Sequence, residues 1–144
     1  MSWITPKTDW KVTVVDGVYI GDYFGYADYN RIKNNIIYLA QMPETSIQIS
    51  SMGSDKVVGD LIFPDDFNRF ERNLNVIATA VGVDYSNYPE FFPNSNTPTF
   101  EDLNQIENFC LTLYEILSSS RVYAIDTNNL YALSSGVRAT AEGS

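Results

Sequence analysis

The chain has 144 residues, 44% apolar and 19% charged, which describes one globular domain with at most a small appendage. Its net charge of −9, from 18 acidic and 9 basic side chains, repels phosphate backbones and argues against nucleic acid as a partner. The lack of histidine excludes Ser-His-Asp, Cys-His and His-ligated zinc chemistry, and the single cysteine, Cys110, excludes an internal disulfide or a Cys-Cys metal pair.

No run of 18 apolar residues and no basic-then-apolar leader is present, so neither a membrane span nor export by a standard signal is expected. A chain of this length buries roughly two-thirds of its unfolded surface, so it needs no metal or disulfide staple. No cofactor is expected.

Residues 1–25 have no helix period and read as an extended N-terminal arm carrying Trp3 and Trp10. These tryptophans either fold back over the end of the domain or dock on a neighbouring subunit. A first helix begins near Asp28 and runs past Leu39, with Pro43 as its stop. Residues 45–63 alternate Ile47 and Ile49 with polar residues and carry a turn signal at Met52-Gly53-Ser54-Asp55, which predicts a short hairpin or an extended arm.

Pro64 with Asp65 and Asp66 opens a second helix, and Gly82 is placed to end it. An aromatic loop follows, with Tyr85, Tyr88, Phe91 and Phe92 interrupted by Pro89 and Pro93. Thr99 and Asp102 form a capping-box-like pair at the start of a third helix, which Ser118, Ser119 and Ser120 are expected to close. Val122–Ile125 and Leu130–Leu133 then read as a second hairpin, with Tyr123 and Tyr131 on its strands, followed by a polar tail.

The three helix signals are copies of one pattern. DYNRIKNNI, DFNRFERNL and DLNQIENFC start at Asp28, Asp66 and Asp102, spaced by 38 and 36 residues. In each copy the apolar residues fall on one helix face: Tyr29, Ile32, Ile36 and Leu39; Phe67, Phe70, Leu74 and Ile77; Leu103, Ile106, Cys110 and Leu113. Ala40, Val81 and Leu117 widen the stripes. Three such stripes bury one another, so the expected fold is mainly α: a three-helix bundle over 26–118, the arm of 1–25, short β-hairpin additions, and a C-terminal hairpin and tail over 119–144.

Asp28, Asp66 and Asp102 each sit in a first turn, where capping and the helix dipole account for an acid without a metal. Asn30, Asn68 and Asn104 are poor helix-interior residues, and their repetition suggests a recurring side-chain to backbone hydrogen bond, to a loop or to the preceding arm. Arg31 and Arg69 lie on the helix flanks, able to pair with acids within the chain or across a subunit contact. The aromatic loop could stack on a sugar or pack against protein. Cys110 sits on a core face with no histidine to activate it, and Glu101, Glu107 and Glu115 have no opposing carboxylate set by the sequence.

Taken with Trp3, Thr8-Asp9-Trp10 and Met52-Gly53-Ser54-Asp55-Lys56, the segments Asp28–Asn35, Asp66–Asn73 and Glu101–Glu107 resemble a family of small proteins encoded in phages and prophages of Gram-positive bacteria, particularly clostridia. The resemblance covers residues 1 to about 117, and its motifs open helices without forming a catalytic signature. It implies a non-enzymatic virion component near the tail, baseplate and tail fibre, present in several copies or as a homo-oligomeric ring and bound to other tail or baseplate proteins. The expected contact residues are Trp3, Trp10, Tyr85, Tyr88, Phe91, Phe92, Tyr123 and Tyr131. The rivals are a receptor-binding module that recognises a host surface glycan through the aromatic loop, an assembly chaperone outside the virion, and a small wall hydrolase.

Overall fold

The computed structural model describes residues 3–11, 14–19, 21–85, 88–93 and 97–126, with the side chains of Val14, Tyr19 and residues 120–126 outside that description. The protein is mainly helical. Helix α1 spans Tyr26–Gln41, α2 spans Pro64–Val81 and α3 spans Phe100–Asp126. The chain divides into two compact units, 1–113 and 114–144, and α3 belongs to the first through Leu113. Among the described residues no helix is long and apolar enough to cross a membrane.

The repeated stripe builds the core. All twelve of its residues, from Tyr29 to Leu113, are buried, and Phe70, Leu74, Ile77, Ile36, Leu39, Ile106 and Leu113 are fully so. The helix starts follow from the repeated aspartate. Asp28 accepts the Gly25 N–H at 3.0 Å, Asp66 the Phe63 N–H at 2.8 Å and Asp102 the Thr99 N–H at 2.9 Å. The third start is a complete capping box, because Thr99 Oγ1 also accepts the Asp102 N–H at 3.2 Å; Gly25 and Phe63 have no side chain that could do so. Pro64 occupies the first turn of α2, and Gly82 ends that helix with φ 83°.

The three helices run parallel. The residues at their starts converge: Phe24 lies 5.2 Å from Phe67, and Trp10 lies 5.6 Å from Phe24 and 5.5 Å from Phe100, ring centre to ring centre. A parallel bundle forces the chain to travel back between helices, and it does so in irregular segments. Residues 45–63 hold no strand, so of the hairpin and the extended arm expected there the hairpin is overturned, and the segment's backbone bonds to helix side chains instead of a partner strand. The expected extended N-terminal arm is also corrected: residues 3–11 have neither helix nor strand but are hydrogen-bonded along α1 and α3 as part of the bundle.

The strands among the described residues are β1 (Val14–Val15) and β2 (Val18–Tyr19), an antiparallel pair with Val14 opposite Tyr19. Asp16 at φ 52° and Gly17 at φ 77° supply the left-handed turn between them.

The C-terminal hairpin is also corrected. Val122–Ile125, including Tyr123, belong to α3, which runs on through Ser118, Ser119 and Ser120. Serine costs about 0.5 kcal/mol per residue against alanine in a helix, too little to stop one without a glycine or proline. The second expected strand, with Tyr131, lies outside the described residues.

No atom crowds the space beside Gly82, so only its left-handed backbone resists a side chain. Gly82→Ala is expected to cost about 1 kcal/mol, read as a lower urea midpoint at unchanged slope.

Candidate functional site

A return segment in a groove between helices faces backbones whose own hydrogen bonds are already used. Its peptide groups need side-chain partners. Asparagine fits this need, because its amide offers an acceptor and a donor side by side, complementary to a peptide N–H and C=O. The three repeated asparagines each grip one residue in this way. Asn30 accepts the Lys56 N–H and donates to the Lys56 carbonyl, both at 2.8 Å. Asn68 does the same to Phe91 at 2.8 and 2.9 Å, and Asn104 to Trp10 at 2.7 and 3.0 Å.

Five residues further along, Asn35 grips Ile4 at 3.0 and 2.7 Å, and Asn73 grips Ser50 at 2.9 Å in both bonds. The third copy has Phe109 there, and its ring stacks on Tyr85 at 3.9 Å. Each return segment therefore starts over one helix and ends over the next: Ile4 on α1 to Trp10 on α3, Ser50 on α2 to Lys56 on α1, Tyr85 on α3 to Phe91 on α2. The three contacts close a cycle with pseudo-three-fold order.

Between the two grips a third position, Lys33, Glu71 or Glu107, is buried in every copy. Glu107 is the richest of these. It accepts the Lys7 N–H at 2.9 Å, Trp10 Nε1 at 2.7 Å, and Arg31 Nε and Nη2 at 2.9 and 2.7 Å. Arg31 also bonds Asp28 at 2.9 Å and lies 6.0 Å from the Trp10 ring centre.

Lys33 reaches the Gly53 carbonyl at 3.1 Å and Asp55 at 2.6 Å. Glu71 accepts the Tyr85 hydroxyl at 2.5 Å, while its Oε2 is buried without a hydrogen-bond partner. Burial pushes the Glu71 carboxyl up to about 7; the Tyr85 bond opposes that shift and the charge of Asp102 adds to it. Burial likewise raises the Tyr85 hydroxyl, which therefore stays a donor, and the thiol of Cys110.

The expected contact residues separate into two groups. Trp10, Tyr85 and Phe91 are buried in the chain's own interior, which corrects their reading as surface anchors. Trp3 is half-buried, 6.0 Å from the Tyr38 ring, and Tyr88 stacks on Tyr85 at 5.6 Å. Phe92 is exposed. Asp28, Asp66, Asp102 and Thr99 are the helix-start residues already described.

Helix periodicity passes over Asn35, Asn73, Lys33 and Glu71. The signal that finds them is their fixed offset, five or three residues, from the repeated asparagine.

Two open clefts border these grooves. One, of about 370 Å³, is lined by Asp84, Tyr85, Gln105, Asn108, Phe109 and Thr112. The other, of about 750 Å³, lies between residues 51–63 and the starts of α1 and α2. Its acids are engaged internally: Asp55 with Lys33, Asp60 with the Val57 N–H, and Asp66 with Arg69 and the Phe63 N–H. Among the described residues no three acidic, cysteine or histidine side chains converge as a metal site. The arrangement is suited to holding backbone in place. Compared with known proteins, the chain matches no family model, no curated protein and no solved structure.

Asn104→Asp keeps the acceptor but loses the donor to the Trp10 carbonyl. It is expected to cost about 2 kcal/mol by chemical denaturation, with faster amide exchange at Trp10.

A second expectation concerns pH. The Glu71 carboxyl titrates near 4.5 when unfolded and at about 7 when folded. The folded chain keeps a proton that the unfolded chain loses, so this stabilisation is complete below 4.5 and disappears as the pH rises to about 7. Urea titrations from pH 4.5 to 8 should show the parent protein losing up to about 3 kcal/mol relative to Glu71→Gln.

Proposed function

We propose that this chain is a non-enzymatic structural component of a phage tail or tail-like particle, an adaptor at the baseplate or tail-fibre attachment point. The observation that carries the reading is the use made of the repeated motif. The residues that give the chain its resemblance to phage-encoded proteins, the aspartates and asparagines of all three copies, are committed to helix starts and backbone grips. A motif whose side chains hold the chain's own backbone supports a structural reading.

In this reading the bundle is a spacer present in several copies or as a ring, in the virion, and bound to other tail proteins. A rival glycan-binding role draws on Tyr85, Tyr88, Phe91 and Phe92. It is disfavoured by the burial of Tyr85 and Phe91, which removes half of that platform.

Mass spectrometry of density-gradient-purified particles, quantified against the major tail protein, tests the proposal. A fixed small ratio is expected. Absence from particles with abundance in the lysate overturns it in favour of an assembly chaperone.

A further inference from the structure

The three connections that join a return segment to the next helix all lie at the helix-start end of the bundle, because the helices are parallel. Their described residues are 11, 14–19, 21–25, 57–63, 92–93 and 97–99. Of the eleven large apolar side chains exposed among the described residues, all but Ile4 and Val76 fall in these connections or on Tyr26, the first residue of α1. The strongest exposures are at Val58, 80%, Tyr23, 73%, and Leu61, 68%, with Phe63 half exposed beside them. The opposite pattern holds along the sides of the bundle, where the return segments cover the grooves.

A surface with this much apolar area gathered at one end is a contact site rather than scattered exposure. Charge decides what it contacts. The same end carries exposed Asp16, Asp60, Asp65 and Glu101 against exposed Lys11 and the partly exposed Arg69, which lies 4.0 Å from Asp65, so acids remain in excess. A second copy would bring acids against acids, and an anionic lipid surface or a nucleic acid would be repelled in the same way.

We infer that the helix-start end of the bundle docks a different protein, through a surface that combines apolar side chains with lysine or arginine. Leu61, Val58 and Phe63 enter its apolar part, and Asp65 and Glu101 face its cations. The inference deepens the adaptor reading by assigning the face that carries the attachment.

The test uses the full-length chain in producing cells, with a benzophenone side chain placed at position 61 or, as a flank control, at position 76. Irradiated cells are lysed and the linked peptides sequenced. Position 61 is expected to link to one other protein, at a stretch holding both apolar and Lys or Arg residues, and position 76 is not. Combining Asp65→Lys with Glu101→Lys should lower that link at least tenfold while the thermal melt of the isolated protein stays cooperative. If the double variant melts without cooperativity, Asp65→Asn with Glu101→Gln replaces it, with at least a threefold loss expected.

Links from position 61 to a second copy, to an acidic stretch, or to nothing would overturn the inference, as would a link indifferent to both charge variants. Because the linking is done in whole cells, a chain absent from purified particles but linked as expected refutes the particle reading and leaves the docking face standing.

Discussion

A single interaction underlies the architecture: an asparagine amide laid alongside a peptide group, accepting its N–H and donating to its carbonyl. Three parallel helices cannot be joined by short turns. Each must be followed by a segment that travels back along the bundle, and such a segment fills a groove where no ladder of backbone partners exists. Asn30, Asn68 and Asn104 supply those partners for Lys56, Phe91 and Trp10. Without them, peptide groups that are buried at Phe91 and partly buried at Lys56 and Trp10 would go unpaired, at a cost of up to about 1–3 kcal/mol each. The same economy explains the aspartates, which close three helix starts gathered at one end and offset the positive dipole ends brought together there.

The repeat is regular in its grips and irregular in its charges. Arg31 on α1 meets Glu107 on α3, and that carboxylate also holds the backbone of Lys7 and the indole of Trp10. The other two junctions lack one member of this pair. On α2, Arg69 occupies the place of Arg31, but the place of Glu107 on α1 is taken by Lys33. On α3, Gln105 stands where an arginine would meet Glu71. Arg69 Nε and Glu71 Oε2 are the two buried side-chain atoms without a partner among the described residues. Both orphans thus trace to the places where the internal repeat has diverged, and it is burial at one of these places that raises the Glu71 carboxyl.

This division gives the molecule a middle held together by its own polar side chains and an end that exposes apolar ones. Polar residues of the motif face inward and hold the chain to itself. The connections at the helix-start end, relieved of that duty, carry the exposed valines, leucine and aromatics among acids. The proposed adaptor role asks for this arrangement, a body fixed by internal bonds with exposed apolar side chains at one end.

Much of the fold was legible from local rules. Apolar spacing alone marks the buried stripe from Tyr29 to Leu113, and the repeated aspartates, Pro64 and Gly82 mark helix ends, because periodicity, capping and backbone preference act within a few residues. The repeated asparagines also announce a backbone bond, since nothing local in a helix rewards them. What they bond to is not local: Asn104 and Trp10 are 94 residues apart. The parallel orientation, the return segments in place of hairpins and the inward turn of Trp10, Tyr85 and Phe91 were likewise set by packing. Sequence by itself determined where the three helices begin and which of their faces are apolar. Only the tertiary structure decided which peptide each amide holds and which aromatics remain for a partner, because those choices depend on groove geometry between segments far apart in the chain.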